Sequence, residues 1–217
     1  MKKISNNKYK VTFLVDNKNT WFSKYLNIFP IKNKKYIFKV SSNVKKVFNQ
    51  DVLFIINYTK ILNKKRLLQN KLNLVIHSSN LPKNRGGAPL HWQILRNKKK
   101  IKICLFEAIE KLDAGNIFLT EELSFNGTEL YDELRDKQAK KMIKLIKKFL
   151  SKYPKIKGTS QFGKPSFNEK RNSNHSELDI NKSIKDQFNL MRISDNEKYP
   201  AFFNFRNNKY ILKIYKK

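Results

Sequence analysis

Apolar residues along this chain fall into two spacings, and each predicts a different element. Short runs rich in Val, Ile, Leu and Phe read as strands: "YKVTFLVD" (9–16), "KYIFKV" (35–40), "DVLFIINY" (51–58), "LNLVIHSS" (72–79), "KIKICLFEA" (100–108) and "NIFLTEELSF" (116–125). The third is apolar at nearly every position, as a strand covered on both faces would be. Between them, "WFSKYLNIF" (21–29) and "APLHWQILRN" (88–97) carry helical spacing, the latter with Pro89 in its first turn, and "KKRLLQNKL" (64–72) reads as a short helix. Strands alternating with helices predict an α/β fold, a mostly parallel sheet with helices on both faces.

A longer helix is predicted from about Thr128 to Tyr153. Thr128 can cap it, Glu129 and Asp132 occupy its first turns, and Lys147, Lys148 and Lys152 lie near its end, which suits the helix dipole. Its apolar stripe is Leu130, Leu134, Met142, Leu145, Ile146 and Phe149. Past Pro154 the chain turns polar, and 153–183, with two of the six prolines, reads as an extended arm or linker. A last helix at 182–193 follows. The tail 200–217, two aromatic or aliphatic runs flanking "RNN", reads as a β-hairpin. The expected organisation is one domain at 1–154 and a C-terminal arm, short helix and hairpin at 155–217.

Composition changes this picture little. The net charge is +30, from 47 Lys+Arg against 17 Asp+Glu, but the basic residues run from Lys2 to Lys217 instead of massing in one patch. That reads as compositional bias, with weak polyanion affinity as its by-product. The single cysteine, Cys104, excludes an intrachain disulfide and suits a reducing compartment, so the cytoplasm is the expected location. No apolar run approaches the roughly 18–20 residues of a membrane span. "MKKISNNKYK" is not followed by the long apolar stretch of a signal peptide, and no metal-binding set is expected.

The candidate chemistry concentrates in "HSSNLPKNRGGAPLHW" (77–92). His77 ends the fourth predicted strand, and in open α/β sheets ligands bind outside the carboxyl ends of strands. Gly86 and Gly87 allow positive φ and close backbone approach. The stretch resembles the signature of the formyl-tetrahydrofolate-dependent formyltransferase family, His-x-Ser-x-Leu-Pro-x-x-Arg-Gly followed by a proline that opens a helix. His77, Ser79, Leu81, Pro82, Arg85, Gly86 and Pro89 fill those places. "EAIEKLDAGNIF" (107–118) supplies the family's Leu-Asp-x-Gly, with Asp113 and Gly115, and "INYTKIL" (56–62) supplies its Ile-Leu, Ile61 and Leu62.

The resemblance spans roughly residues 51–120 and implies a Rossmann-like catalytic core using 10-formyltetrahydrofolate. It also implies His77 and Asp113 as the catalytic pair. Histidine suits proton removal from an attacking amine and proton delivery to the departing folate nitrogen, and a neighbouring carboxylate orients the imidazole and stabilises its charged form. The folate walls, built mainly from backbone, are implied at Lys60, Ile61 and Leu62 and at Ala108, Ile109, Glu110, Lys111 and Leu112, with Ser79, Arg85 and Gly86 on the acceptor side.

The chain departs from the family at one consequential place. The family shares oxyanion stabilisation between the histidine and an asparagine two residues upstream, and here that residue is Val75. Residues 75 and 77 share one strand face, as does Asn73, but Asn73 is roughly 6.6 Å further along the strand and does not simply replace the missing amide. Asn57 and Asn80 are the expected substitutes, with slow turnover or binding without catalysis as alternatives. The turn 16–22 also lacks the glycines that relatives often carry there.

The family acts on methionyl-tRNA, a glycinamide nucleotide and nucleotide-linked amino sugars. "WQIL" (92–95), "ELRDKQ" (133–138) and "YPAFF" (199–203) resemble short bacterial proteins of surface-sugar synthesis, so an amino-sugar nucleotide is the expected acceptor, with methionyl-tRNA or tRNA/polyanion binding without turnover as alternatives. Phe167, Phe188, Tyr199, Phe202 and Phe203 can stack on a base or build a small second core. Arg85, Arg171 and Arg192 are candidate phosphate or carboxylate contacts, and the C-terminal hairpin could pair two subunits into a homodimer.

Overall fold

The structure, a computed structural model, describes residues 8–17, 20–30 and 33–217, so the turn 16–22 lies partly outside the described residues. The strands are β1 (Tyr9–Leu14), β2 (Tyr36–Ser41), β3 (Val52–Ile55), β4 (Asn73–His77), β5 (Arg85–Gly86), β6 (Lys100–Glu107), β7 (Ile117–Ser124), β8 (Phe167–Asn168), β9 (Ala201–Phe205) and β10 (Asn208–Leu212). The α-helices are α1 (Lys64–Leu67), α2 (Pro89–Leu95), α3 (Tyr131–Lys152) and α4 (Ile184–Arg192). A six-stranded sheet runs in the order β2-β1-β3-β4-β6-β7.

Pairing of β1 with β2, β1 with β3 and β3 with β4 is parallel. β6 opposes them: Ala108, just past its end, donates its N–H to the carbonyl of Asn73, the first residue of β4. β7 reverses again, since Glu107 N–H bonds Asn116 O and Phe125 N–H bonds Lys99 O. The sheet is therefore mostly parallel with one reversed strand.

The chain packs as two compact units. One comprises the described part of Met1–His77 with Leu105–Leu119 and Ile146–Gln161, and the other Ser78–Cys104, Thr120–Leu145 and Phe162–Lys217. In the first, all four residues of β3 are buried, as its unbroken apolar run requires. Phe54 lies 5.4 Å from Phe13 and 5.9 Å from Phe149, ring centre to ring centre, which joins the sheet to the last turns of α3. In the second, Leu178, Met191 and Ala201 form a small core joined by Leu190, Phe203, Leu212 and Ile214. That is the second core anticipated for the tail aromatics. Phe202 is buried and Phe203 stacks on Tyr210, while Phe167 and Tyr199 are exposed.

Three expectations are corrected. The 21–29 segment forms a 3-10 helix, Ser23–Ile28, because no side chain caps it and Phe29, ahead of Pro30, is extended. Thr128 does not cap α3. Its hydroxyl donates to Asn126, while Glu133 accepts the N–H of Leu130 at the entry to the helix. The polar segment 153–183 is not a loose linker. In the first unit Thr159 and Ile117 exchange backbone hydrogen bonds, and in the second Arg85–Gly86 pairs with Phe167–Asn168 in a parallel ribbon. Main-chain pairing needs no apolar side chains, so composition hides it. The hairpin forms as expected, with Arg206 and Asn207 both at positive φ in its turn.

Candidate active site

β4 carries His77 as its last residue, with the imidazole buried. The ring of Phe106 meets it edge-on at 6.3 Å and restricts its plane. Because β6 runs against β4, the β6–β7 connection starts beside Asn73, four residues short of His77. It must travel back along β4 for Asp113 to reach the histidine, and it does so: Asp113 Oδ2 lies 3.8 Å from His77 Nδ1. That separation is longer than a hydrogen bond, so the two act on each other as charges once the imidazole is protonated. Both side chains are about nine-tenths buried, at 9% and 11% exposure, where such an interaction is weakly screened.

The connection is held firmly. Asp113 takes a left-handed φ of 49°. Gln161 donates its amide to the carbonyls of Asp113 and Gly115, each at 2.9 Å. Gly115 lies against Glu107, where an added Cβ would come 2.1 Å from the carbonyl oxygen. Gly115→Ala is therefore expected to displace Asp113 and lower any turnover by about 10²-fold, the cost typical of a misplacement near 1 Å. Steady-state kinetics checks this, and an unchanged rate would show that the Asp113 position does not matter.

The two implied folate-wall segments lie within the first unit and share one packing cluster. Leu62 and Ala108 pack with Val75 on the cluster of Leu14, Val47, Leu53, Ile55 and Leu67. Lys60, Glu110 and Lys111 are exposed, and so are the apolar side chains of Ile61 (78%), Ile109 (42%) and Leu112 (45%). Exposed apolar groups on both segments fit a flat heteroaromatic ring. The sequence reading missed Asp16, whose two carboxylate oxygens each lie 3.1 Å from Thr59 N and anchor the 60–62 loop to the end of β1. It also missed Gln161, which lies in the segment read as a linker. Neither has a local motif, because each acts only through contacts distant in sequence.

The amide of Asn73 is committed elsewhere. It donates to Leu67 O at 2.9 Å and accepts from Asn70 at 3.3 Å, closing the end of α1. Asn57 lies two residues past the Ile55–Val75 pair, beyond the end of β3, at a left-handed φ of 50°. The remaining signature residues belong to the second unit. Ser79 is fully buried, and its carbonyl accepts from the thiol of Cys104 at 3.0 Å. Arg85 N–H bonds Ser166 O at 2.8 Å. Gly86, at φ +92°, lies where a Cβ would come 2.4 Å from Asn168 O, so the β5–β8 ribbon requires glycine there. Among the described residues no cluster of metal-binding side chains occurs, and no helix is long and apolar enough to cross a membrane.

A family model described as formyl transferase matches residues 3–150. The chain belongs to the formyl transferase family. A methionyl-tRNA formyltransferase from Sulfurihydrogenibium sp. (strain YO3AOP1) is 30% identical over 171 residues, covering 75% of this chain and 52% of the relative. The chain thus spans about half the length of the curated relatives it matches. Two solved structures share the formyl transferase fold. A methionyl-tRNA formyltransferase from Clostridium thermocellum superposes with a TM-score of 0.81 at 23% identity, over 95% of this chain and 92% of that one. A 4-N formyltransferase from Francisella tularensis superposes with a TM-score of 0.71 at 20% identity, over 95% and 97%.

Proposed function

We propose that this formyl transferase family member moves a formyl group from 10-formyltetrahydrofolate to the amino group of methionyl-tRNA, with His77 and Asp113 as the catalytic pair. The observation that carries the reading is the return of Asp113 to His77 from a connection that starts at the far end of β4. When bound, the folate supplies an activated one-carbon acyl group. His77 would take the proton from the attacking amine and return it to the folate nitrogen as that nitrogen's bond to the formyl carbon breaks, with Asp113 stabilising the imidazolium in between. Ile61, Ile109 and Leu112 would cover the pterin, and the backbone of both loops would meet its polar edge. The choice of acceptor is supported by a relative at 30% identity, a methionyl-tRNA formyltransferase.

A nucleotide-linked amino sugar is the second reading. It is favoured by the fold shared with a sugar N-formyltransferase from Shewanella sp. over nearly the whole of that protein. Incubation with 10-formyltetrahydrofolate and either methionyl-tRNA or a panel of amino-sugar nucleotides separates the two. Formamide on the tRNA alone supports the first reading, on a sugar alone the second, and no formamide on any acceptor refutes both.

Val75 gives a further test. It is half-buried and offers no hydrogen bond beside His77. Val75→Asn is expected to keep the fold and to raise kcat toward the 10²–10³-fold that one oxyanion donor typically contributes. An unchanged kcat would assign the duty to another donor, Asn57 first.

A further inference from the structure

β4 ends at His77, and the two residues that follow, Ser78 and Ser79, are buried at 2% and 0% exposure. Buried carbonyls past a strand end need donors that the ladder no longer supplies. Three side chains of the second unit supply them. Gln93, in α2, donates from Nε2 to Ser78 O at 2.7 Å and to Pro89 O, one turn back in its own helix, at 2.9 Å. Gln138, in α3, donates from Nε2 to Ser78 Oγ at 2.8 Å. Cys104, in β6, donates to Ser79 O at 3.0 Å, and burial pushes its thiol up, so it keeps the proton it donates.

The direction of each amide follows from its partners. Both acceptors of Gln93 are carbonyls, so its nitrogen must face them. Arg135 Nη1 donates to Gln138 Oε1 at 2.9 Å. A guanidinium only donates, so the Gln138 nitrogen is the group turned to Ser78. The formyl-transfer reading gives no task to "WQIL" (92–95) or "ELRDKQ" (133–138). Each of these segments brings one glutamine, and the two meet on the residue next in the chain to His77.

Gln93 is only 8% exposed, on the face of α2 that also buries Leu90 and Ile94. A buried amide is costly unless its hydrogen bonds are made, and here they are made to Ser78. Holding the carbonyl and the hydroxyl of Ser78 together fixes the orientation of the whole residue. The chain from there to the His77 Cα has only two soft dihedrals per residue, so little freedom is left to the imidazole's point of attachment.

We propose that Gln93 and Gln138 are positioning residues for His77, holding Ser78 from two helices and so setting the direction in which the imidazole leaves β4. The inference rests on the reading of His77 as the proton-carrying group, but the placement of its ring is measurable without turnover.

Gln93→Met and Gln138→Met keep the side-chain length and remove the donors. Each is expected to shift the His77 imidazole signal in the NMR spectrum of the full chain. Each should also lower kcat by about 10–10²-fold, the scale of a misplacement near 1 Å, at unchanged affinity for a folate analogue. Lys185→Gln, at an exposed position, is expected to change none of these. A merely structural role would lower the melting temperature and leave the His77 signal of the folded protein where it is. A signal that neither variant moves therefore overturns the proposal, and so does a kcat equal to the parent's in both. A parent that formylates no acceptor refutes the formyl-transfer reading alone, and the His77 signal then decides the placement. Gln138 is partly exposed, so its variant carries the test where Gln93→Met fails to fold.

Discussion

His77→Ala is expected to lower formylation by about 10²–10⁴-fold, the usual contribution of a positioned general base. The loss should appear mainly in kcat. The apolar side chains of Ile61, Ile109 and Leu112 and the backbone beside them stay in place, so affinity for a folate analogue should change little. Removing the imidazole also removes the ring that Asp113 Oδ2 faces at 3.8 Å, and with it the imidazolium that the carboxylate stabilises during transfer. Asp113→Asn is therefore expected to reproduce part of the same loss. Rapid-quench measurement of the single-turnover rate, with folate-analogue binding measured in parallel, checks this. A variant that turns over at the parent rate would remove His77 from the chemistry and return it to a packing role against Phe106.

Arg192→Ala is expected to destabilise the second unit by about 3–5 kcal/mol, the range for breaking a buried ion pair from one side. Arg192 is 2% exposed and Glu129 is 3% exposed. Arg192 Nη1 donates to Glu129 O at 2.9 Å and lies 3.5 Å from its carboxylate. Burial alone would raise the Glu129 carboxyl. The hydrogen bond from Lys137 and the N–H groups of Asn126 and Gly127 outweigh it and bring the carboxyl down to about 2. A depressed carboxyl stabilises the fold above its unfolded value and loses that contribution as pH falls toward the folded one. Stability should therefore drop by about 3 kcal/mol between pH 4.5 and 2, and Glu129→Gln should flatten that decline. Urea unfolding across this range is the measurement. A midpoint in Arg192→Ala equal to that of the parent would show that the pair contributes nothing net.

Much of this molecule was legible along the chain because the relevant signals are local. Strand spacing and turn residues report the path of the backbone within a few positions, and all six strands of the main sheet lie where the apolar runs place them. His77 and Asp113 were named as a pair only through the resemblance of their two motifs to the formyltransferase signature. What could not be read depends on partners remote in sequence. The pairing of 166–168 with the signature loop is made by main chain and leaves no side-chain pattern. The commitment of the Asn73 amide to closing α1 likewise depends on its fold partners, Leu67 and Asn70, and leaves no mark in the strand pattern.

The arginines make the same point through electrostatics. Arg85, Arg171 and Arg192 look alike as symbols in a basic chain. A buried carboxylate takes Arg192, and a buried imidazole and a second guanidinium surround Arg171. By itself the sequence determined which segments become strands and helices and which side chains can carry a proton. The tertiary structure alone decided that β6 runs against β4, that Asp113 comes back to His77, and which cation meets which partner. Periodicity and side-chain chemistry are properties of neighbouring residues, whereas strand direction, desolvation and charge pairing depend on distances that only the folded chain defines.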